Sequence, residues 1–406
     1  MKVTVVGIGA DGYSGLAAAS RAAVDEAGVV VGGPRQLDLL PSSVRAERVP
    51  WPSPLRPAVR PLVEDHHERG LVVLASGDPM HHGIGRTLVE ELGPGQVRVL
   101  SHPSSVALAC ARLGWAAEAT PVVSTLTAGL DSVLRHAGDG RRVLVLNRDT
   151  DTVPALAALL TEHGFGASRL LVLAELGGPD ESSHQGLAEQ SAYWSEWPNR
   201  PSGPSITAVL LAGGPGLPET PGLPDDAYWH DGQLTKRHVR AVTLAALAPR
   251  PGEQLWDVGG GSGSVAVEWL RAHPTTRAVT VERDETRAGR IAHNAARLGV
   301  PHLRVVTGSA PAALAGLPEP DAVFVGGGLT ADGVVDACWS ALREGGRLVA
   351  NAVTLESQAE VTRLAAQHGG ELVRIEIAGT TPVGGFTGWR PAMPVVQWTA
   401  VKGPPQ

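Results

Sequence analysis

Two acidic residues bracket a glycine-rich turn in the second half of this 406-residue chain. The run LWDVGGGSGSVAVEWL places Asp257, Gly259, Gly260, Gly261, Ser262 and Gly263 between a strand-like apolar stretch and a helix-like one. Glycines there let the backbone turn tightly. They also let a ligand approach a helix N-terminus, whose first N–H groups have no partner inside the helix. About 20 residues later the next apolar run ends in Glu282, placed to accept hydrogen bonds from a ribose. Gly261, Gly263 and Ala266 also satisfy the GxGxxA dinucleotide fingerprint, so a nicotinamide oxidoreductase is one reading. A second is a cofactor with an ammonium group and no pyrophosphate, because a pyrophosphate would be repelled by Asp257. A plain strand-to-helix turn that binds nothing is the third.

The first half carries three loops that could surround a ligand. VVGIGADG brings Gly7 and Gly9 to the end of an apolar run, and LASGDPMHHGIG does the same with Gly77, Asp78 and Pro79. HPSSVALACARLGW opens a helix-like stretch with Ser104 and Ser105, a good N-cap arrangement. No Ser-His-Asp or Cys-His arrangement is apparent, and no catalytic side chain is identified. The pairs His66-His67 and His81-His82 are not natural chelates, since adjacent residues point in different directions on a strand or helix. No metal is expected.

These loops need elements to hold them. Strands are predicted at 3–7, 71–75, 97–100, 143–146, 170–173 and 206–211, with helices at 14–27, 85–92, 106–113 and 153–163. Such alternation reads as α/β with a mainly parallel sheet. Residues 213–224 (GGPGLPETPGLP) lack any hydrophobic period, which marks a linker or boundary. A second α/β series follows, with a helix at 236–246 and strands at 254–258, 278–282, 304–306, 322–325 and 347–351. It closes with strands at 371–377 and 394–401, an antiparallel hairpin ending a parallel sheet. Residues 379–393 between them are a long loop, and so are expected to have a function. The expected division is a first domain at 1–216, a linker at 217–228 and a second domain at 229–406.

Composition narrows the function. The net charge of −7 leaves no basic stripe for a nucleic-acid backbone. Cys110 and Cys338 form no CxxC pair, which argues against a disulfide framework and fits a reducing cytoplasm. The apolar run from Val3 is broken by Asp11, too early for a signal-peptide core or a membrane span, so a cytoplasmic protein without membrane attachment is expected. Lysine occurs only at positions 2, 236 and 402, so arginine supplies nearly all the positive charge. Its planar fork would suit a multiply carboxylated ligand.

The three loops of the first half, in this order and with the segment 174–181 (AELGGPDE), resemble the tetrapyrrole methylase family over residues 1–216. That resemblance implies a two-subdomain fold with S-adenosylmethionine in the cleft between them, touched by Gly7, Gly9, Gly77, Asp78, Pro79, Ser104 and Ser105. Residues 229–398 resemble the Rossmann-like class I methyltransferases, and more narrowly the decarboxylating precorrin methyltransferases. Carrying this resemblance are DGQLTK at 231–236, GSAP at 308–311 and the glycines 326–328. It implies S-adenosylmethionine contacts at Thr235, Asp257, Gly259, Gly260, Gly261, Ser262, Gly263, Glu282, Ser309 and Ala310, and a substrate contact at Gly327. Ser309 stands where this family often has an acid facing the adenine.

The order of the two halves resembles the fused precorrin-6Y C(5,15)-methyltransferase (decarboxylating) family of cobalamin biosynthesis. The resemblance implies methylation at meso carbons 5 and 15 and loss of carbon dioxide from the ring C acetate, giving precorrin-8. The first domain would serve carbon 5, and the second carbon 15 and the decarboxylation. For a flat, carboxylated tetrapyrrole, Arg237, Arg240 and Arg390 are expected to grip acidic arms and Trp389 to cover a face, with 379–393 as a lid. A homo-oligomer is expected. A sensor that binds S-adenosylmethionine without turnover is the remaining alternative.

Overall fold

The computed structural model describes residues 2–197, 200, 201 and 203–403. The chain forms two compact units, Met1–Leu130 with Gly138–Pro215, and Asp131–Ala137 with Gly216–Gln406.

In the first unit, β1 (Val3–Ile8), β2 (Val29–Gly32), β3 (Glu47–Pro50), β4 (Leu71–Ser76) and β5 (Val97–Leu100) form a parallel sheet in the order β3-β2-β4-β1-β5. Its central strands are Val-rich runs buried on both faces, as a sheet covered by helices requires. A second sheet contains β6 (Val122–Ser124), β7 (Arg142–Leu146), β8 (Arg169–Ala174), β9 (Ser182–Leu187) and β10 (Ser205–Leu210), ordered β6-β7-β10-β8-β9. Only the β6–β7 pair is parallel in it, so the mainly parallel reading of this half holds for one sheet and fails for the other. The two sheets are the expected subdomains. The expected helix at 14–27 is shorter, a 3-10 turn at Gly12–Gly15 followed by Ala18–Asp25.

In the second unit, β11 (Gln254–Val258), β12 (Arg277–Glu282), β13 (Arg304–Thr307), β14 (Ala322–Val325) and β15 (Arg347–Ala352) run parallel. After them come β16 (Glu371–Ile375), β17 (Ala378–Val383), β18 (Phe386–Pro391) and β19 (Val395–Val401). The sheet order is β13-β12-β11-β14-β15-β19-β16, with β19 antiparallel to both neighbours. Period-2 alternation divides the core between two faces. Leu255, Phe324 and Val349 pack on one side with Trp269, while Trp256, Val323 and Leu348 pack on the other with Trp398.

The glycine-proline seam is less free than its composition suggests. Leu223 and Tyr228 are buried in the second unit's core. They are held by Glu268, a carboxylate that is 3% exposed on the helix Ser264–Ala272. It accepts hydrogen bonds from the Gly222 and Leu223 backbone N–H groups at 2.5 and 3.1 Å and from the Tyr228 hydroxyl at 3.0 Å. Arg240 Nε donates to it at 2.5 Å. The expected linker at 217–228 is therefore corrected from Gly222 onward, because burial and this carboxylate pin the backbone.

Asp257 is 1% exposed at the fourth position of β11. Its carboxyl accepts the Ala266 backbone N–H and lies 3.5 Å from the Thr280 hydroxyl, beneath the glycine turn. Burial pushes its pKa up from 3.8 to about 7, outweighing both hydrogen bonds.

Two stability predictions follow from these buried groups. Glu268→Ala leaves the buried Arg240 with only Asp225, at 3.2 Å, as counter-charge and strips three donors of their acceptor, and we expect a loss of about 3–5 kcal/mol in urea unfolding. A loss below about 1 kcal/mol would mean the cluster is hydrated. For Asp257 the folded pKa exceeds the unfolded one, so the folded state gains a proton. That stability is complete below about pH 4 and is lost as pH rises through about 7. Asp257→Asn removes the slope, and its stability relative to the parent should rise between about pH 4 and 8, by at most on the order of 4 kcal/mol. Parallel pH profiles for the two proteins would contradict a buried, protonatable Asp257.

Candidate active sites

In the second unit, β11 delivers the chain into the glycine turn, and neighbouring β14 is followed directly by Gly326 and Gly327. The two loops touch at Gly259, where φ is +74° and a Cβ would lie 2.6 Å from Gly327 Cα. Only glycine fits there. Above this contact lies a cleft of about 290 Å³, lined by Gly259, Gly261, Glu282, Ser309, Ala310 and Gly327 among the expected residues. Glu282 is 4% exposed, accepting the Gly261 N–H at 2.8 Å through Oε2 and the Asp284 N–H at 3.1 Å through Oε1. Each carboxylate oxygen has a second lone pair, and the side chain forms part of the cleft wall.

Other expected residues sit behind the lining. Asp257 faces the core, as described above. A Cβ on Gly263 would meet Ile291 at 2.7 Å and one on Gly260 would meet Thr280 at 2.1 Å, so both glycines serve packing rather than the cleft. Ser262 is buried, its hydroxyl without a hydrogen-bond partner among the described residues, and the Thr235 carbonyl accepts from Arg240 at 2.5 Å. Neither lines the cleft.

The expected substrate contacts fare differently. Arg240 is fully buried, bound to Glu268, Asp225 and the carbonyls of Thr235 and Leu223. Its guanidinium is consumed inside the unit, and the expectation that it grips a ligand is corrected. Arg237 gives its Nε to the Gly222 carbonyl at 2.8 Å and lies off the cleft. Residues 379–393 are mostly a two-stranded hairpin of β17 and β18 rather than a loop, with Thr380 opposite Trp389 and Gly379 opposite Arg390. Trp389 is 75% exposed, and no hairpin residue lines the cleft. The expected loop is therefore corrected to a hairpin that stands outside the lining of this cleft.

The sequence reading overlooked Arg283 and Arg287, which give the cleft a cationic rim. Arg287 Nε donates to Asp231 at 2.9 Å and Arg290 lies 3.0 Å from the same carboxylate oxygen. These arginines hold the Asp231 carboxyl well below the usual carboxylate range. Asp231 in turn accepts the N–H of Gln233, another lining residue. Following the chain one and five residues beyond Glu282 would have found both arginines.

In the first unit, three loops converge in the same manner. A Cβ on Gly7 would sit 2.1 Å from the Gly77 carbonyl oxygen and 2.7 Å from the His102 nitrogen. Ser104 caps the helix Ser105–Leu113, its hydroxyl accepting the Ala107 N–H at 3.1 Å. Asp78 accepts the Met80 N–H at 2.8 Å and the Pro79 carbonyl accepts the Gly85 N–H at 2.9 Å, so this pair shapes its own turn. Of the expected residues, Gly9, Gly77 and Ser105 line the cleft, while Gly7, Asp78, Pro79 and Ser104 support it. Arg35 and Glu175 also line it and were missed. Among the described residues no group of three or more His, Cys, Asp or Glu could hold a metal ion. No helix there is long and apolar enough to cross a membrane.

Comparison with known proteins agrees with this two-part architecture. A family described as tetrapyrrole (corrin/porphyrin) methylases matches residues 2–192, and one described as precorrin methyltransferase domain matches 226–402. The chain is 48% identical to a precorrin-6Y C(5,15)-methyltransferase [decarboxylating] of Sinorhizobium sp., covering 99% of this chain and 96% of that one. It is 47% identical to the protein of that name from Mycobacterium tuberculosis (strain CDC 1551 / Oshkosh), covering 98% and 100%. Among solved structures, the C-terminal domain of precorrin-6Y C5,15-methyltransferase from Rhodobacter capsulatus matches at 51% identity and a TM-score of 0.44, covering 46% of this chain and all of that one. The nicotinamide reading of the glycine turn is set aside by these relatives. With whole-length identity of this order and both halves matched in sequence, the chain belongs to the decarboxylating precorrin-6Y C(5,15)-methyltransferase family.

Proposed function

We propose that this enzyme uses S-adenosylmethionine to methylate precorrin-6B (precorrin-6Y) at meso carbons 5 and 15 and releases the ring C acetate carboxyl as carbon dioxide, giving precorrin-8. The first unit serves carbon 5, and the second serves carbon 15 and the decarboxylation. The observation that carries this reading is the presence of two separate glycine-floored clefts in a chain matched end to end by relatives of that name.

The residues present suit the cofactor. Gly259 and Gly261 leave bare backbone beside a buried carboxylate, Glu282, whose spare lone pairs suit ribose hydroxyls. Ser309 and Ala310 would border the adenine. In the first unit Gly9, Gly77 and Ser105 would form the corresponding wall. When bound, S-adenosylmethionine supplies an activated methyl group, and an electron-rich meso carbon is already nucleophilic. The chain's task is to hold both in line and keep water out, which can supply up to about 7–11 kcal/mol. Arg283 and Arg287 would hold carboxylate arms at the rim of the second cleft. The conjugated imines of the substrate accept the electron pair left by carbon dioxide, so the protein need only grip and desolvate that carboxylate.

Anaerobic incubation of the full chain with precorrin-6B and methyl-labelled cofactor should give a product two methyls heavier and one carbon dioxide lighter by mass spectrometry. Cofactor binding without any mass change would favour the sensor. Glu282→Ala removes a charged acceptor, a loss of about 1.5–3 kcal/mol in cofactor binding. It should depress the carbon 15 methyl and carbon dioxide release together and leave the carbon 5 methyl intact. Substituting Gly77 should do the reverse. Normal carbon dioxide release without the carbon 15 methyl would place the decarboxylation in another site.

A further inference from the structure

The first cleft contains one cation and one anion among its described lining residues, and they are bound to each other. Arg35 is the second residue of the short helix Pro34–Asp38 after β2, in the parallel sheet's subdomain, and Glu175 directly follows β8 in the other. They form an ion pair across the cleft. Around them the walls carry no other charge, with Ile8, Leu108, Leu173 and Ile206 beside the hydroxyls of Ser76, Ser105 and Ser205. Glu175 holds this position in a left-handed backbone conformation, φ +51°, that side-chain-bearing residues avoid. Gly203 makes room for it, since a Cβ there would lie 1.5 Å from Glu175 Oε1. Strain and a dedicated glycine are a large investment for a partly exposed surface pair, whose stabilisation is ordinarily small. They are better explained if the pair has work in the cleft.

We propose that Arg35 is the carboxylate-recognising residue of the first cleft and that Glu175 occupies it until substrate arrives. This rests on the proposed function of that cleft. An acetate or propionate arm of the tetrapyrrole replaces Glu175 on the guanidinium fork, and Glu175 rotates to solvent. No net charge is buried or released by the exchange, because one carboxylate takes the place of another. A neutral or cationic arm cannot make it, so the pair sets specificity for an acidic periphery. Arg35 thereby positions the macrocycle, and Glu175 keeps the guanidinium paired in a cleft whose walls hold no other carboxylate among the described residues.

The two partners therefore have opposite predicted effects, which a purely structural strut would not show. Using the full-length chain, carbon 5 methylation of precorrin-6B is followed with carbon 15 methylation as internal control. Arg35→Leu should raise KM at carbon 5 about 10- to 100-fold while cofactor affinity of the first unit and carbon 15 turnover stay unchanged. Glu175→Gln removes the competitor and should lower that KM several-fold, and Arg35→Lys should restore part of the loss. Failure of the unsubstituted chain to methylate carbon 5 would instead overturn the function proposed for the cleft. An unchanged KM in Arg35→Leu, weakened cofactor binding in that variant, or equal damage from Arg35→Leu and Glu175→Gln would each overturn the role given to Arg35.

Discussion

The close approach of backbone to backbone where neighbouring parallel strands end is the constraint on which both sites depend. In the second unit Gly259 meets Gly327 at the ends of β11 and β14, and in the first Gly7 meets Gly77 at the ends of β1 and β4. A methyl group at either contact would force the loops apart, so the cleft floor exists only because side chains are absent. The sheet order sets where this happens. In β13-β12-β11-β14-β15 the chain winds one way from β11 and then reverses through β14, and a crevice opens at the carboxyl ends of that pair. Two sheets of different strand order share this one solution.

In the second unit the surroundings of this floor are held by buried charge. Glu268 gathers Arg240, Tyr228 and two backbone N–H groups, so the segment leading into the second unit is fixed against the helix that follows the glycine turn. Asn294 adds a second tie, donating to the Trp229 and Ser262 carbonyls at 3.0 and 2.9 Å. The turn is thus held from below by Asp257, from the side by Asn294 and from above by Glu282. Rigidity of this kind suits chemistry that depends on alignment more than on acid–base groups.

Much of this was readable from the sequence, and what was not has identifiable physical causes. The apolar runs of β1, β4, β11 and β14 and the glycine turns are legible in the sequence, whereas β2 (Val29–Gly32), three valines buried on both faces between β3 and β4, is absent from the expected strands although its apolar run is there to see. The strands β3 and β9 lie at sheet edges, where Glu47–Pro50 is largely exposed and Ser182–Leu187 is polar, so they carry no hydrophobic run, and β6 is only three residues long. The antiparallel pairings of the second sheet depend on tertiary connection, which no local period encodes. Arg240 was misread as a ligand contact although Arg240, Thr243, Leu244 and Leu247 share one buried helical stripe, a signal that was available. Arg35 was beyond reach, because its meaning comes from Glu175, 140 residues away. The hairpin β17–β18 is not legible in residues 379–393, where glycine and proline interrupt any period-2 run and cross-strand pairing is invisible until the partner is known.

Two independent cofactor pockets in one chain are the centre of the account, and counting bound cofactor tests it without reference to turnover. Equilibrium dialysis of the full chain against radiolabelled S-adenosylmethionine should saturate at two molecules per chain. The Glu282→Ala variant should retain one site of undiminished affinity. Saturation of the unsubstituted chain at one molecule would contradict the account.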